Sequence, residues 1–371
     1  MLEHAWALPS PVMLVSGDPN FITPTHIIDA AADAARAGAT GYSPGDGLLK
    51  LREAIARKLH ERNQLDVGVD QVCVTTGACG GLYTTLMMLI GPGDEILLPN
   101  PGWSNYAAMV HVLGATAVGY RLAPETGWGI DLAAVEDAIT PKTRAILVNS
   151  PGNPTGGVES KDTLLGLLEL AKRYDIWVIS DEAYDELVFE STHTSVASLG
   201  AEERVVSIFS FSKTYAMTGW RVGYVTGPRT FVRQVSLHQE PVVSCASTIS
   251  QHAALAALAG PQDCVSEMVT AYRRRRDIAA ATLTNADIPF VKPLGSFFLM
   301  VDCRMSGLDS WTFALKLLEE QHVAVVPGAA FGDGGEGYLR ISLAAADASV
   351  AAGVEGLVRM LLGKEAMQVK R

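Results

Sequence analysis

The chain has 371 residues, of which 48% are hydrophobic and 19% charged, and its mean hydropathy is +0.19. This balance excludes a disordered protein and indicates a compact, self-associating one, and the length predicts two domains. The net charge of −11 and the lack of a basic arm argue against nucleic-acid binding. We interpret the run from Arg273 to Arg276 as mostly a solvated helix face, on which Asp277 pairs with Arg273.

The cysteines are five in number and scattered, without a close Cys-x-x-Cys pair. They therefore signal neither a zinc or other metal site nor a disulfide scaffold, and a reducing cytoplasm fits best. No apolar stretch approaches the roughly 20 residues of a membrane helix, and no signal sequence is evident. We expect a soluble, cytoplasmic, unprocessed protein without membrane contact.

The N-terminal third contains turns, helices and one short strand. Breakers in the first twenty residues predict an arm over a domain or a partner: Pro9, Pro11, Gly17 and Pro19. Helices are predicted over 25–36 and 48–62, with a Gly-rich loop carrying Tyr42 between them. A strand over 72–76 leads into glycines that open a helix to about residue 90. Free backbone N–H groups at such a helix start can bind an anion.

Short apolar strands then alternate with helices. Strands are predicted at 95–99, 117–122, 145–149, 177–180 and 205–209, and helices at 105–113, 132–139 and 160–174. The pattern is typical of a mostly parallel sheet covered on both faces, in which ligands bind at the C-terminal ends of strands. The following side chains come at or just after such ends: Asn153, Asp181, Tyr184 and Lys213.

A second series of helices and strands follows residue 227. Helices are predicted at 247–258, 263–283, 311–321 and 347–362, and strands at 297–301, 323–326 and 338–342. We therefore predict an α/β protein with a large domain, built on a mostly parallel, helix-covered sheet, and a smaller α/β C-terminal domain. The predicted division is an arm with part of the small domain (1–45), a large cofactor-binding domain (46–270), and a small domain that begins with a long linking helix (271–371).

Lys213 is the candidate nucleophile. Ser210 and Ser212 precede it and Arg221 follows shortly after, so an amine, hydroxyls and a guanidinium share one segment. A desolvated amine forms a Schiff base with an aldehyde, and Ser and Arg bind phosphate oxygens. A short Ser-x-Ser-Lys match alone is more often a solvated surface segment.

Four more segments bear on that choice. They are the turn 150–156 with Asn153, the strand end 180–184 with Asp181 and Tyr184, the loop 100–106 with Trp103, and residues 327–340 with Arg340. Singly, these side chains also suit a helix cap, core aromatics or an interdomain salt bridge.

Together the five segments resemble the fold-type I pyridoxal-phosphate enzymes, specifically class I and II aminotransferases of the aspartate aminotransferase superfamily. The resemblance runs from about Gly17 to Arg340. It implies pyridoxal 5′-phosphate as cofactor, an amino acid and a 2-oxo acid as substrates, and a homodimer with shared active sites.

The resemblance also implies roles. Lys213 would hold the cofactor as a Schiff base and then move a proton, and Asp181 would pair with the pyridine nitrogen. The remaining cofactor contacts would be Ala78, Cys79, Ser210 and Arg221 on the phosphate, Tyr184 and Asn153 on the ring oxygen, Trp103 on the ring face, and Tyr42 on the partner subunit's phosphate. The substrate contacts would be Gly17, Asn153 and Arg340, with Arg340 on the α-carboxylate.

Cys79 stands where aspartate-using relatives carry a lysine, so we expect a donor with a neutral, apolar or aromatic side chain. The segment before Gly17 is short, which leaves the site mouth more open or covered by the loop around Pro9. Alternatives on the same fold are a carbon-sulfur β-lyase and an amino-acid decarboxylase. A non-enzymatic cofactor-sensing domain is disfavoured because no helix-turn-helix precedes it.

Overall fold

The computed structural model describes residues 10–190, 192–201 and 203–366. Pro9 and the start of the predicted arm lie outside these residues. Within the described ranges, no helix combines the length and the apolar character that crossing a bilayer requires.

Strands and helices alternate along most of the described chain. The strands are β1 (Val12–Met13), β2 (Val72–Thr75), β3 (Glu95–Asn100), β4 (Thr116–Ala123), β5 (Gly129–Ile130), β6 (Thr143–Asn149), β7 (Trp177–Asp181), β8 (Val205–Ser210), β9 (Gly223–Thr226), β10 (Phe298–Asp302), β11 (Val323–Ala324), β12 (Val326–Pro327) and β13 (Tyr338–Ser342). The helices are α1 (Thr25–Arg36), α2 (Leu49–Asn63), α3 (Gly77–Leu89), α4 (Ser104–Val112), α5 (Leu132–Ala138), α6 (Lys161–Arg173), α7 (Phe211–Thr214), α8 (Arg229–Val243), α9 (Thr248–Ala259), α10 (Asp263–Asn285), α11 (Ser310–Gln321) and α12 (Asp347–Ala366).

The large sheet has eight strands in the order β2-β9-β8-β7-β6-β3-β4-β5. The run β8-β7-β6-β3-β4 is parallel, whereas β9 is antiparallel to both its neighbours and β5 is antiparallel to β4. Alternate residues of one strand enter different cores: Ile146 packs in one hydrophobic cluster and Leu147 in another. Both faces are therefore covered, and the predicted α/β fold with a mostly parallel sheet is confirmed.

A smaller three-stranded antiparallel sheet has the order β10-β13-β12, and β1 pairs with β11 in a separate parallel ribbon. The single strand predicted over 323–326 is thus two short strands in different sheets. Strands β1, β5 and β9 were not indicated by the sequence pattern. The domain division at residues 45 and 270 stays a prediction.

The interpretation of the arginine run in α10 as a solvated face is wrong for two of its members. Arg275 is 4% exposed and Arg276 is fully buried. Carboxylates pair with both, since Arg275 Nε lies 2.9 Å from Asp347 Oδ1 and Arg276 Nη2 lies 2.7 Å from Asp277 Oδ1. Asp277 pairs with Arg276 instead of Arg273, which donates to the backbone. Cations can be buried in this way only because carboxylates pair with them.

Candidate active site

A cavity of about 280 Å³ brings together the predicted site residues with the exception of Tyr42. Its lining includes Gly17, Ala78, Cys79, Trp103, Asn153, Asp181, Tyr184, Ser210, Lys213, Arg221 and Arg340. It also includes residues that were not predicted from the sequence as site residues, namely Leu82, Tyr106, Asn149, Ala183, Ser212 and Phe298.

The strand directions explain why these residues meet. Strands β6, β7 and β8 are parallel and in register, with Asn149 beside Asp181 and Asp181 beside Ile208, so the turns that follow them share one edge of the sheet. Strand β9 runs the opposite way and begins at that edge, where Gly223 pairs with Ser210. Arg221, just before β9, therefore returns to the same edge as the turn after β8.

The Lys213 amine is half-buried and donates a hydrogen bond of 2.7 Å to the carbonyl oxygen of Gly17. Burial lowers its pKa to about 8, and the positive charges of Arg221 and Arg340 act in the same direction, against Asp18. A sizeable share of this amine is neutral near physiological pH. It can therefore act as a nucleophile or accept a proton.

The Asp181 carboxylate is 3% exposed and lies at the end of β7. Tyr106 Oη donates to its Oδ2 at 2.6 Å, and the backbone N–H of Ala183 donates to its Oδ1 at 3.1 Å. Burial raises the pKa of Asp181 to about 6 although both hydrogen bonds oppose the shift. The carboxylate is thus ionised at neutral pH in a buried place, which suits a protonated ring nitrogen.

Tyr106 was not among the predicted site residues, although it lies in the loop segment 100–106 that was singled out for Trp103. It belongs to α4, three residues after Trp103, and the two rings meet edge to face with centroids 5.3 Å apart. Side chains three apart at a helix start share a face, and that spacing was the available signal.

Arg340 lies in the middle strand of the small sheet, with its guanidinium between the rings of Phe298 at 4.3 Å and Phe331 at 4.8 Å. It donates to Asn153 Oδ1 at 3.0 Å and to the carbonyl oxygen of Val15 at 2.6 Å, while its buried Nε has no partner among the described residues. Burial lowers its pKa to about 10, so it stays a cation at neutral pH. A desolvated guanidinium with a free donor is suited to a carboxylate.

The start of α3 and Arg221 form an anion cradle. Gly77 has a φ of +69°, and a Cβ placed there would lie 2.8 Å from Arg221 Nη2. Ala78 and Cys79 follow in the first helical turn, and the Ser210 hydroxyl accepts a hydrogen bond from the Ser212 N–H at 3.1 Å. Burial raises the pKa of the Cys79 thiol, which keeps it neutral. Backbone donors, a hydroxyl and a guanidinium together fit a phosphate group.

Two tyrosines with predicted cofactor contacts occupy opposite environments. Tyr184 is 6% exposed, its ring lies edge-on to Phe297 at 5.4 Å, and burial raises its pKa, so the phenol stays protonated. Tyr42 is 88% exposed and lies outside the cavity. Its contact with a partner subunit's cofactor stays a prediction.

The cavity therefore combines a neutralisable amine, a buried carboxylate, a phosphate cradle and a carboxylate-binding arginine. These groups fit a phosphorylated pyridine aldehyde together with an amino acid. Two observations support this fit. The buried Arg340 Nε has no hydrogen-bond partner among the described residues, and Gly77 leaves free the space beside Arg221 that a Cβ would fill.

The chain matches the family model described as aminotransferase class I and II over residues 10–355. It is 40% identical over 334 residues to a probable aspartate aminotransferase of Methanocaldococcus jannaschii, covering 88% of this chain and 87% of that protein. It is 39% identical over 340 residues to an arginine–pyruvate transaminase of Pseudomonas aeruginosa, covering 90% and 85%. Among solved structures, the aromatic aminotransferase from Pyrococcus horikoshii OT3 superposes with a TM-score of 0.93 at 36% identity, covering 99% of each chain.

Proposed function

Because the chain belongs to the class I and II aminotransferases, enzymes that depend on pyridoxal 5′-phosphate, we propose that its central cavity transfers an α-amino group from a neutral amino acid to a 2-oxo acid. The observation that carries the proposal is the convergence of Lys213, Asp181, Arg221 and Arg340 on one cavity. The cofactor supplies an aldehyde that accepts the amino group and a ring that takes up electrons.

The protein groups divide the work of holding this cofactor. The first turn of α3, with Ala78 and Cys79, binds the phosphate together with Ser210 and Arg221. Asp181 binds the ring nitrogen, Asn153 and Tyr184 donate to the ring oxygen, and Trp103 covers one ring face. The support is that all of these side chains line the same cavity.

Lys213 acts first as the covalent anchor of the cofactor and then as the proton carrier. With the cofactor bound, its Nζ would be the group that takes the proton from the Cα of the bound amino acid and later gives it up. The lowered pKa of about 8 supports this role, since such an amine both accepts and releases a proton near neutral pH. Arg340 and Asn153 fix the α-carboxylate, and Gly17 lies beside the substrate.

The donor side chain is neutral, with apolar or aromatic donors favoured over aspartate. Each cation in the lining already has a role: Lys213 as cofactor anchor and proton carrier, Arg221 on the phosphate and Arg340 on the α-carboxylate. No further cation among the described lining residues is left to bind a second carboxylate, and Cys79 at the start of α3 is neutral. The names of the relatives include aspartate, arginine and aromatic-amino-acid enzymes, so they leave the donor open.

The working unit is a homodimer in which Tyr42 of each subunit reaches the other's cofactor phosphate, and the enzyme is cytoplasmic. Tyr42 is 88% exposed in the single chain, which leaves its side chain free to contact a second copy.

A steady-state panel of amino-acid donors with 2-oxoglutarate and pyruvate as acceptors tests the donor preference. We expect the highest kcat/KM with apolar or aromatic donors, and a highest value with aspartate would overturn this part. Turnover that releases pyruvate without an added 2-oxo acid would instead favour the β-lyase.

Lys213→Ala tests the anchor. The variant should give no borohydride-stable adduct with pyridoxal phosphate, because the amine that is reduced onto the protein is gone. Lys142→Ala, which removes a lysine outside the cavity lining, is the matched control and should leave the adduct intact. An adduct that persists in Lys213→Ala would overturn the assignment.

A further inference from the structure

The peptide from Asp181, the last residue of β7, to Asp185 has two functional faces. Asp181 and Tyr184 line the cavity, whereas Glu182 is fully buried and Asp185 is 8% exposed, and neither belongs to the cavity lining. Both carboxylates point away from the cavity and belong to a buried hydrogen-bond network that reaches helix α2. The position of Asp181 and Tyr184 therefore depends on groups behind the site.

Lys58 of α2 is the cation of this network and is only 9% exposed. Its Nζ donates to Asp185 Oδ2 and, at 2.7 Å, to Asn63 Oδ1, and it lies 3.5 Å from Glu186 Oε1. Burial lowers the pKa of Lys58, but the nearby carboxylates, Asp185 first, outweigh burial and raise it. Lys58 is thus a buried, charged group paired with carboxylates of the catalytic peptide.

Lys58 also contacts the strand that leads to Lys213. Its Nζ lies 5.0 Å from the centroid of the Phe209 ring, and Phe209 stacks on Tyr224 of β9 with centroids 5.0 Å apart. Phe209 directly precedes Ser210, the last residue of β8, and Lys213 lies in the short helix α7 that follows. One ammonium group therefore contacts both the peptide that continues from β7 and the C-terminal part of β8.

The second carboxylate, Glu182, is held from three sides. Ser180 Oγ donates to it at 2.9 Å, Ser195 Oγ at 2.5 Å, and His193 Nε2 lies at 2.8 Å. Asn63 joins the two halves of the network, since its Nδ2 donates to Ser195 Oγ at 2.9 Å and to Asp185 Oδ2 at 3.2 Å.

We propose that Lys58 is a positioning residue for the transamination, because it fixes the peptide of Asp181 and Tyr184 relative to the strand end that carries Lys213. This inference rests on the roles proposed above for those three residues. Supporting groups behind a site act by holding the reacting groups in productive geometry, and small displacements there are costly to rate. The buried network has no other cation that contacts both strand ends among the described residues.

The test compares Lys58→Met with the double variant Lys58→Met/Asp185→Asn. The single variant leaves Asp185 buried without its cation and should lower the melting temperature, and the double variant should recover much of that loss because the unpaired charge is gone. Both variants should lose kcat roughly 10- to 100-fold with KM changed less than about threefold, since geometry is lost but substrate contacts remain. The visible circular dichroism of bound pyridoxal phosphate should fall in both, because its ring is held less rigidly.

Arg276→Met is the matched control. Arg276 is also a buried cation with carboxylate partners, and its guanidinium lies 4.8 Å from the Phe189 ring centroid. It contacts neither strand end. The substitution should therefore lower the melting temperature but leave kcat and the circular dichroism of the bound cofactor unchanged.

Recovery of kcat together with the melting temperature in the double variant would overturn the proposal, and so would an equal loss of kcat in Arg276→Met. The wild-type and Lys213→Ala measurements judge the proposed roles of the site independently of Lys58.

Discussion

Tyr106→Phe should change how the stability of the cofactor-free protein depends on pH. The substitution removes the phenol that donates to Asp181 Oδ2 at 2.6 Å and leaves the ring in place. A hydrogen bond to a charged group contributes about 1.5 to 3 kcal/mol, which corresponds to about one to two pH units. The pKa of Asp181, about 6 in the native protein, should therefore rise further in the variant.

The direction in which stability changes with pH follows from the raised pKa of Asp181. The folded-state pKa of Asp181 is raised above the usual 3.8, so the folded state binds the proton more tightly and stability falls as pH rises through that window. In the native protein the loss is complete a little above pH 6 and amounts to about 3 kcal/mol. In Tyr106→Phe the loss should continue to higher pH and be larger by about 1.5 to 3 kcal/mol.

Urea unfolding of the cofactor-free protein between pH 4 and pH 8 measures this difference directly. Tyr120→Phe is the matched control, because Tyr120 is equally buried but donates to the carbonyl oxygen of Leu147 at 2.9 Å. The free-energy difference between Tyr106→Phe and wild type should grow with pH, while that of Tyr120→Phe stays flat. Parallel pH curves for the two variants would refute the coupling of Tyr106 to Asp181.

Three further predictions concern Glu159, which lies outside the cavity lining, and two residues at the start of α3. Glu159 is 9% exposed and burial raises its pKa to about 7. The free energy of unfolding of Glu159→Gln, measured in urea and compared with that of wild type, should therefore rise by up to about 3 kcal/mol between pH 4 and a pH above 7. The absence of this rise would refute the prediction. Gly77→Ala should weaken pyridoxal phosphate binding about tenfold in equilibrium titrations, because its Cβ would displace Arg221 and its φ is positive. Gly91→Ala, where a Cβ comes within 4 Å of no atom in the described part of the chain, should bind normally. Cys79→Lys should raise the ratio of kcat/KM for aspartate to that for phenylalanine, and an unchanged ratio would count against the proposed donor preference.

The edge of the sheet was the most predictable part of the molecule. Asp181 ends a short apolar strand, and Asn153 and Lys213 each follow another. Parallel strands carry their ends and the residues after them to one edge. Strand β9 was not predicted because it has only four residues and begins with a glycine, which weakens a strand pattern. The segment 323–326 was expected as one strand, since local periodicity cannot show that two halves pair with different partners.

Charge burial was the least predictable. Arg276 lies in a run of arginines whose local pattern indicates a solvated face, yet it is fully buried against Glu190. Lys58 and Asp185 are 127 residues apart in sequence, and no local spacing reveals such a pair. Tertiary packing decides which charges are buried, because only packing brings distant carboxylates to a cation.

The hydrogen bond from Arg340 Nη2 to the carbonyl oxygen of Val15 has a consequence for substrate affinity. An α-carboxylate that takes this donor exchanges one hydrogen bond for another, which yields little net free energy. The buried Nε has no partner among the described residues and gains a bond that it did not have before. Most of the free energy that Arg340 gives to carboxylate binding should therefore come from its Nε.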